Sequence, residues 1–166
     1  MILASHIIVS GLLGATTQNY FLAGFFGLVS HYILDAVPHW DFYLSPEFNV
    51  KAETEDGNFI KEKLFWKEIG KIVVDILIGL SLLFIFLKTL GYINIAAVFI
   101  SVFFGILPDS LQLFYLMTKW KFIKWNMDLQ QFMHFSIHKK IEQAFWPGII
   151  AQIATIGIVF LILRKF

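Results

Sequence analysis

Residues 1–34 read MILASHIIVSGLLGATTQNYFLAGFFGLVSHYIL and contain no Asp, Glu, Lys or Arg. A single membrane span needs about 20 apolar residues, so this stretch is too long for one helix and suits two short ones. The polar run at residues 16–19 (TTQN) is the natural turn between them. Pro38 ends the second helix, because the residue before a proline is pushed out of helical backbone space.

The composition of the whole chain points to the same environment. Of its 166 residues, 58% are hydrophobic and only 15% are charged, whereas a soluble domain carries about 25% charged residues. This excludes a soluble globular domain and a disordered chain. A net charge of +1 provides no basic surface for nucleic acid, and the lack of cysteine excludes disulfides and Cys-ligated zinc. We therefore expect one all-α domain over residues 1–166, an integral membrane helical bundle.

Further apolar runs predict the remaining spans. A third covers residues 69–90, a fourth residues 92–117 and a fifth residues 145–163. Residues 118–141 mix lysines with tryptophan and phenylalanine, which is typical of a helix lying at the membrane interface. Residues 42–67 contain many charged side chains and are expected to form a solvated loop. The prediction is about five transmembrane helices plus one interfacial helix.

The distribution of basic and aromatic residues predicts the orientation. With five spans, residue 1, the 42–67 loop and the 118–141 segment lie on one side of the membrane. Ten of the 13 basic residues and all five tryptophans fall on or near that side. The excess of Lys and Arg makes it the cytoplasmic side.

The densest group of metal-binding residue types is His31-x-x-x-Asp35-x-x-Pro38-His39-x-Asp41. His31 and Asp35 are four residues apart and share one helix face. Beyond Pro38, His39 and Asp41 alternate onto one side of an extended segment. Nitrogen and oxygen donors so close together predict a site for a cation such as zinc. The plainer interpretation is two interfacial histidines with a capping aspartate.

A second group, His134-x-x-x-His138-x-x-x-Glu142, places three more potential ligands at helical spacing. We expect it to face the first group, although an interfacial helix can also show such residues to water. His6 lies one turn into the first helix at the same membrane level. We expect it to join the ligands, whereas the common role of a lone buried histidine is a hydrogen bond within the core.

Two other carboxylates lie near this level. Asp109 follows Pro108 at the end of an uncharged run, where a helix or turn cap is the alternative role. Asp75 has Lys71 four residues before it, so an ion pair between them is the alternative there. Ionisable groups at this depth are costly and suggest function. As carboxylates outside the inner ligands, Asp109 and Asp75 are the candidate catalytic general bases.

Three segments resemble the predicted membrane-bound metal-dependent hydrolases, a family of small multi-spanning bacterial and archaeal proteins: residues 5–11 (SHIIVSG), 27–41 (GLVSHYILDAVPHWD) and 105–109 (GILPD). The resemblance implies a prokaryotic inner or plasma membrane. The family has Pro-Asp-x-Asp where this chain has Leu111 in the last position. Its later histidines are spaced His-x-x-x-x-His, whereas His134 and His138 are one residue closer.

His31-Tyr-x-x-Asp35 and His138-x-x-x-Glu142 are also similar to ligand pairs of zinc-dependent phospholipases C, which are α-helical phosphodiesterases. This similarity implies metal-assisted hydrolysis of a phosphoester. We expect a hydrolase that holds one to three divalent ions, zinc first and manganese second. Its substrate would be a membrane phospholipid or a lipid-linked phosphate at the cytoplasmic interface. The alternatives are a divalent-cation transporter and a metal-binding membrane protein without catalytic activity.

Overall fold

The computed structural model describes residues 3–37, 39, 45, 47–48, 51, 58–91, 94–138 and 145–164; at 58–59, 134–138 and 145 it describes the backbone alone. This part of the chain is helical and contains no strand, which confirms the predicted all-α class. Six α-helices have defined bounds within the described residues: α1 Leu3–Ala15, α2 Tyr20–Asp35, α3 Lys63–Leu90, α4 Ile95–Thr118, α5 Lys124–His138 and α6 Phe145–Leu163. Glu47, Phe48 and Lys51 are helical as well. Short 3₁₀ turns at Asn58–Lys61 and Lys121–Ile123 precede α3 and α5.

The charge-free N-terminal stretch forms two short helices, as its length and its TTQN turn predict. The Asn19 side chain ends the turn by accepting hydrogen bonds from the amides of Phe21 and Leu22, at 2.9 and 3.2 Å. These amides belong to the first turn of α2, where no backbone partner exists, so Asn19 is its N-cap.

The start of α3 and the position of Asp109 differ from the expectation. Helix α3 begins at Lys63, six residues before the predicted span, because the solvated first turns continue the helix without a break. Helix α4 runs through Pro108 and ends at Thr118, so Asp109 lies within the helix instead of capping it. The sixth helix has the predicted bounds.

Among the described residues, three helices, α3, α4 and α6, are long and apolar enough to cross a membrane. At 1.5 Å per residue, α1 and α2 extend for only about 20 and 24 Å, against about 30 Å for the hydrocarbon core. Large apolar side chains are exposed along the outer faces of the bundle, among them Phe21, Phe25, Leu77, Ile85, Phe99, Phe103, Ile153 and Leu161. These features support association with a membrane, and the count of five spans stays a prediction.

Helix α1 lies at the centre of the described bundle. It packs against α2, α3, α4 and α6, and nearly all of its residues are buried. Small residues allow the helices to approach: a Cβ at Gly79 of α3 would meet the Cα of Ala4 at 2.7 Å. Such contacts between small residues are how helices associate where lipid offers no hydrophobic driving force.

The closest approach joins α2 to α4. A Cβ at Gly27 would overlap the carbonyl oxygen of Ser101, so only glycine fits there. The Ser101 hydroxyl donates to the carbonyl oxygen of Ser10 on α1, at 2.7 Å. One turn further along each helix lie His31 and Gly105, and the same contact therefore brings those two residues together.

Part of the loop expected to be solvated is anchored in the protein. Phe48 is 1% exposed, and its ring lies 6.3 Å from that of Phe65 at the start of α3. Lys51 forms ion pairs with Glu47 and Glu62. The described part of this loop is thus held against the end of the bundle.

Candidate metal centre

Three predicted ligands from two helices meet at one end of the bundle. His6 is in the second turn of α1, and His31 and Asp35 are in the last turns of α2. One ligand atom from each of the three lies within 4.8 Å of the other two, and all three residues are buried. The Nε2 atoms of His6 and His31 lie 3.3 and 3.2 Å from the two carboxylate oxygens of Asp35. The imidazole rings are stacked, with centroids 4.2 Å apart.

The protonation of His31 follows from its second nitrogen. Its Nδ1 lies 2.8 Å from the carbonyl oxygen of Gly105. A carbonyl oxygen only accepts hydrogen bonds, so Nδ1 carries the hydrogen and donates it. In the neutral ring, Nε2 then carries the lone pair, and it lies 3.2 Å from Asp35 Oδ2. A backbone carbonyl that holds one imidazole nitrogen while the other binds a cation is the usual arrangement of a metal-ligating histidine.

The spacing of the donor atoms fits a small divalent ion. Ligands about 2.05 Å from a tetrahedral zinc lie about 3.3 Å from one another. Asp35 Oδ1 lies 3.3 Å from His6 and Asp35 Oδ2 lies 3.2 Å from His31, so each imidazole is near this distance from one oxygen of the carboxylate between them. Both ring nitrogens of His6 are buried without a hydrogen bond among the described residues, and Nε2 has the 3.3 Å contact with the Asp35 carboxylate. A buried polar group without a hydrogen bond costs roughly 1–3 kcal/mol, and a bound cation would give Nε2 a partner.

Asp109 lies beside this cluster and faces outward. Its Oδ1 is 3.8 Å from His31 Nε2, and its side chain is 34% exposed, whereas the Asp35 side chain is 2% exposed. Asp109 is therefore a solvent-accessible carboxylate next to the buried cluster.

Helix α5 contributes the next layer through Gln130, which is 2% exposed. Its Nε2 lies 3.1 Å from His31 Nε2 and 3.2 Å from Asp109 Oδ1. One turn earlier, the amide of Asn126 donates to the carbonyl oxygen of Pro108 at 2.9 Å and accepts from the Tyr32 hydroxyl at 3.2 Å. These bonds fix α5 against α2 and α4.

Asp75 has a different neighbour from those expected. Its Oδ2 accepts a hydrogen bond from the backbone amide of Ala4, at 3.2 Å, in the first turn of α1. The alternative ion pair with Lys71 is not formed, because Lys71 instead lies 2.8 Å from the carboxylate of Glu68. Asp75 thus caps α1 at Ala4, two residues before His6.

Among the remaining predicted ligands, only the side chain of His39 is described, and it is not part of the three-residue cluster. His39 is buried, and its Nδ1 donates to the carbonyl oxygen of Val37 at 2.6 Å, which leaves Nε2 as the lone-pair atom. Asp41 and Glu142 lie outside the described residues. His134 and His138 are on the described backbone of α5, but their side chains lie outside the description. Their predicted roles stay predictions.

The sequence-based reasoning missed Gly105 and Gln130. A backbone carbonyl is invisible in a residue pattern. For Gln130 a signal existed: residues 126, 130, 134 and 138 are spaced by four, so the polar stripe of α5 begins two turns before His134.

Comparison of the chain with protein-family models, curated proteins and solved structures found no match.

Proposed function

We propose that this protein is a membrane-bound metal-dependent hydrolase that acts on a phosphoester of a lipid or lipid-linked substrate. One observation carries the proposal: the buried cluster of His6, His31 and Asp35, with His31 held by a backbone carbonyl. Two imidazoles and one carboxylate without cysteine are the donors of catalytic rather than structural zinc sites. A bound divalent ion would supply Lewis acidity, lower the pKa of water and stabilise developing negative charge.

The residues of the chain have separate roles in this proposal. His6, His31 and Asp35 hold the ion, zinc first and manganese second. Asp109 is the general base, because it lies beside the ligands and is accessible to water. Gly105 keeps the lone pair of His31 directed into the site. Asp75 positions the first turn of α1 and takes no part in proton transfer.

The surroundings favour a substrate at the membrane surface. His6 is near the start of α1 and Asp35 ends α2, so the cluster lies at helix ends. Helix α5 covers it with Gln130 while exposing Trp125 and Phe132 on its other face. Aromatic side chains prefer the headgroup level of a bilayer. We place this level at the cytoplasmic face of a prokaryotic membrane, as the excess of basic residues predicts.

The test begins with metal analysis of the detergent-purified protein by mass spectrometry. We expect about one or more divalent ions per chain, lost in His31→Ala and retained in Gln131→Ala, an exposed change on α5. Phospholipid vesicles are then assayed for release of phosphorylated head groups, with and without chelator. We expect chelator to abolish release and zinc or manganese to restore it.

A folded wild-type protein that contains no divalent ion and takes up none would refute the proposal. Metal binding that is accompanied by ion flux into proteoliposomes, without hydrolysis, would replace it with the transporter. Transport sites usually lie near the bilayer midplane between repeated halves, and this cluster lies at helix ends.

A further inference from the structure

We propose that Gln130 is a fourth ligand of the metal centre and that the bound ion ties α5 to α1 and α2. The inference rests on the metal site of the proposed function, but it does not depend on hydrolysis. It begins from the position of one buried carboxamide. Gln130 has its nitrogen 3.1 Å from His31 Nε2 and its Oε1 without a hydrogen-bond partner among the described residues.

The distance from Gln130 to His31 is similar to the distances between the residues of the cluster. His6 to Asp35, His31 to Asp35 and Gln130 to His31 are 3.3, 3.2 and 3.1 Å. A tetrahedral ion requires donor separations of about 3.3 Å. Gln130 therefore lies at ligand spacing from His31, and it approaches from a helix that supplies none of the three cluster residues.

The chemistry of the amide depends on whether an ion is present. Without one, the Gln130 amide nitrogen donates to Asp109 Oδ1 and, when the His31 ring is neutral, to the lone pair on His31 Nε2. With an ion on His31 Nε2, that lone pair is occupied and the amide hydrogen has no acceptor there. Exchange of the nitrogen and oxygen places Oε1, a good ligand for a hard or borderline cation, toward the ion. Oε1 would then lie 3.2 Å from Asp109 Oδ1, a repulsive contact that a cation relieves.

A carboxylate substitution separates this role from a purely structural one. Gln130→Glu keeps an oxygen donor but loses both amide hydrogens, whereas Gln130→Ala loses everything. If Gln130 is a ligand, Gln130→Glu binds zinc or manganese at least as tightly as the wild type, and Gln130→Ala binds at least tenfold more weakly. If Gln130 only donates hydrogen bonds to His31 and Asp109, both variants weaken binding alike, and the proposal is wrong.

The experiment measures zinc and manganese binding by calorimetry on the full chain in detergent, together with the thermal shift that each ion causes. Gln131→Glu is the matched control, because it adds the same charge to an exposed position of the same helix. We expect its affinity to equal that of the wild type. Since Gln130→Glu places a second carboxylate beside Asp109, we expect it to melt lower than the wild type without metal and to show a larger metal-induced shift.

Two further measurements distinguish metal ligation by Gln130 from its effect on helix docking. Asn126→Asp removes the amide that donates to the Pro108 carbonyl oxygen, which weakens the docking of α5 but leaves Gln130 unchanged. We expect a lower melting temperature with less than a threefold change in metal affinity. A tenfold loss in that variant would mean that docking alone explains Gln130, and would overturn the inference. Wild-type protein that binds no ion, or His31→Ala that binds as well as wild type, would overturn the proposed metal site itself. Normal binding with unchanged Gln130→Ala affinity would overturn only the fourth ligand.

Discussion

The contact between α2 and α4 makes Gly27→Ala the sharpest test of how the site is built. The added Cβ would overlap the Ser101 carbonyl oxygen and lie 2.9 and 3.0 Å from the Ser101 carbonyl carbon and Cα. All three are backbone atoms, so no side chain can rotate to make room. The two helices must separate, and overpacking of this kind costs about 1–3 kcal/mol.

Gly157→Ala on α6 is the matched control for this substitution. It adds the same atoms to a helix interior where no heavy atom lies within 4 Å of the new Cβ. Both variants gain about 1 kcal/mol of helix propensity, so the difference between them isolates the packing cost. At about 2–4 °C per kcal/mol for a chain of this size, we expect Gly27→Ala to melt about 2–12 °C below Gly157→Ala.

Gly27→Ala is also expected to weaken metal binding, although Gly27 is not a residue of the candidate metal centre. Gly27 and Ser101 lie one turn before His31 and Gly105, so separation there lengthens the 2.8 Å hydrogen bond that fixes the His31 ring. Loss of such an orienting bond weakens metal binding about 10–100-fold. Differential scanning fluorimetry and zinc calorimetry in detergent measure both effects. A Gly27→Ala protein that melts as high as Gly157→Ala and binds zinc normally would show that this contact does not position the site.

Two further predictions follow from the described contacts and from the order of the helices. Asp75→Asn keeps an oxygen that accepts from the Ala4 amide, so we expect it to retain stability, metal and hydrolysis; loss of hydrolysis alone would make Asp75 the general base. Asp75→Ala leaves that amide unbonded and should cost about 1–3 kcal/mol in a thermal melt while weakening metal binding through His6. Reporter fusions at residues 55 and 166 should lie on opposite sides of the membrane, since the three helices long enough to cross it, α3, α4 and α6, all lie between these two positions; reporters on one side would contradict the arrangement.

The part of the site that helical spacing controls was predictable. The i,i+4 spacing of His31 and Asp35 places both on one face of α2 whatever surrounds it, and the structure has their side chains 3.2 Å apart. The short helix pair and its TTQN turn followed from the lack of charge and the length of the run. In each case a local rule decides, with no contribution from distant residues.

The other contacts of the site depend on how the helices pack against one another. His6 joins the cluster because α1 lies at the centre of the bundle, and that position follows from close glycine contacts such as Gly79 with Ala4, which have no hydropathy signal. Asp75 lies at the expected membrane level, but membrane level does not fix a partner. It bonds the Ala4 amide, since the first turn of a helix has free donors and a buried carboxylate needs them.

The location of the site is independent of how far the short helices cross the bilayer. His6 is near the start of α1 and Asp35 is the last residue of α2, and the 3.3 Å between them shows that the two helices run antiparallel. If both helices span a thinned bilayer, or if they enter and return as a hairpin, the change falls on the turn at residues 16–19. The ends that carry the ligands stay on the side of the loop before α3. Because Asp109 opens the cluster outward at this end, water and a head group would reach it from that same side in either arrangement.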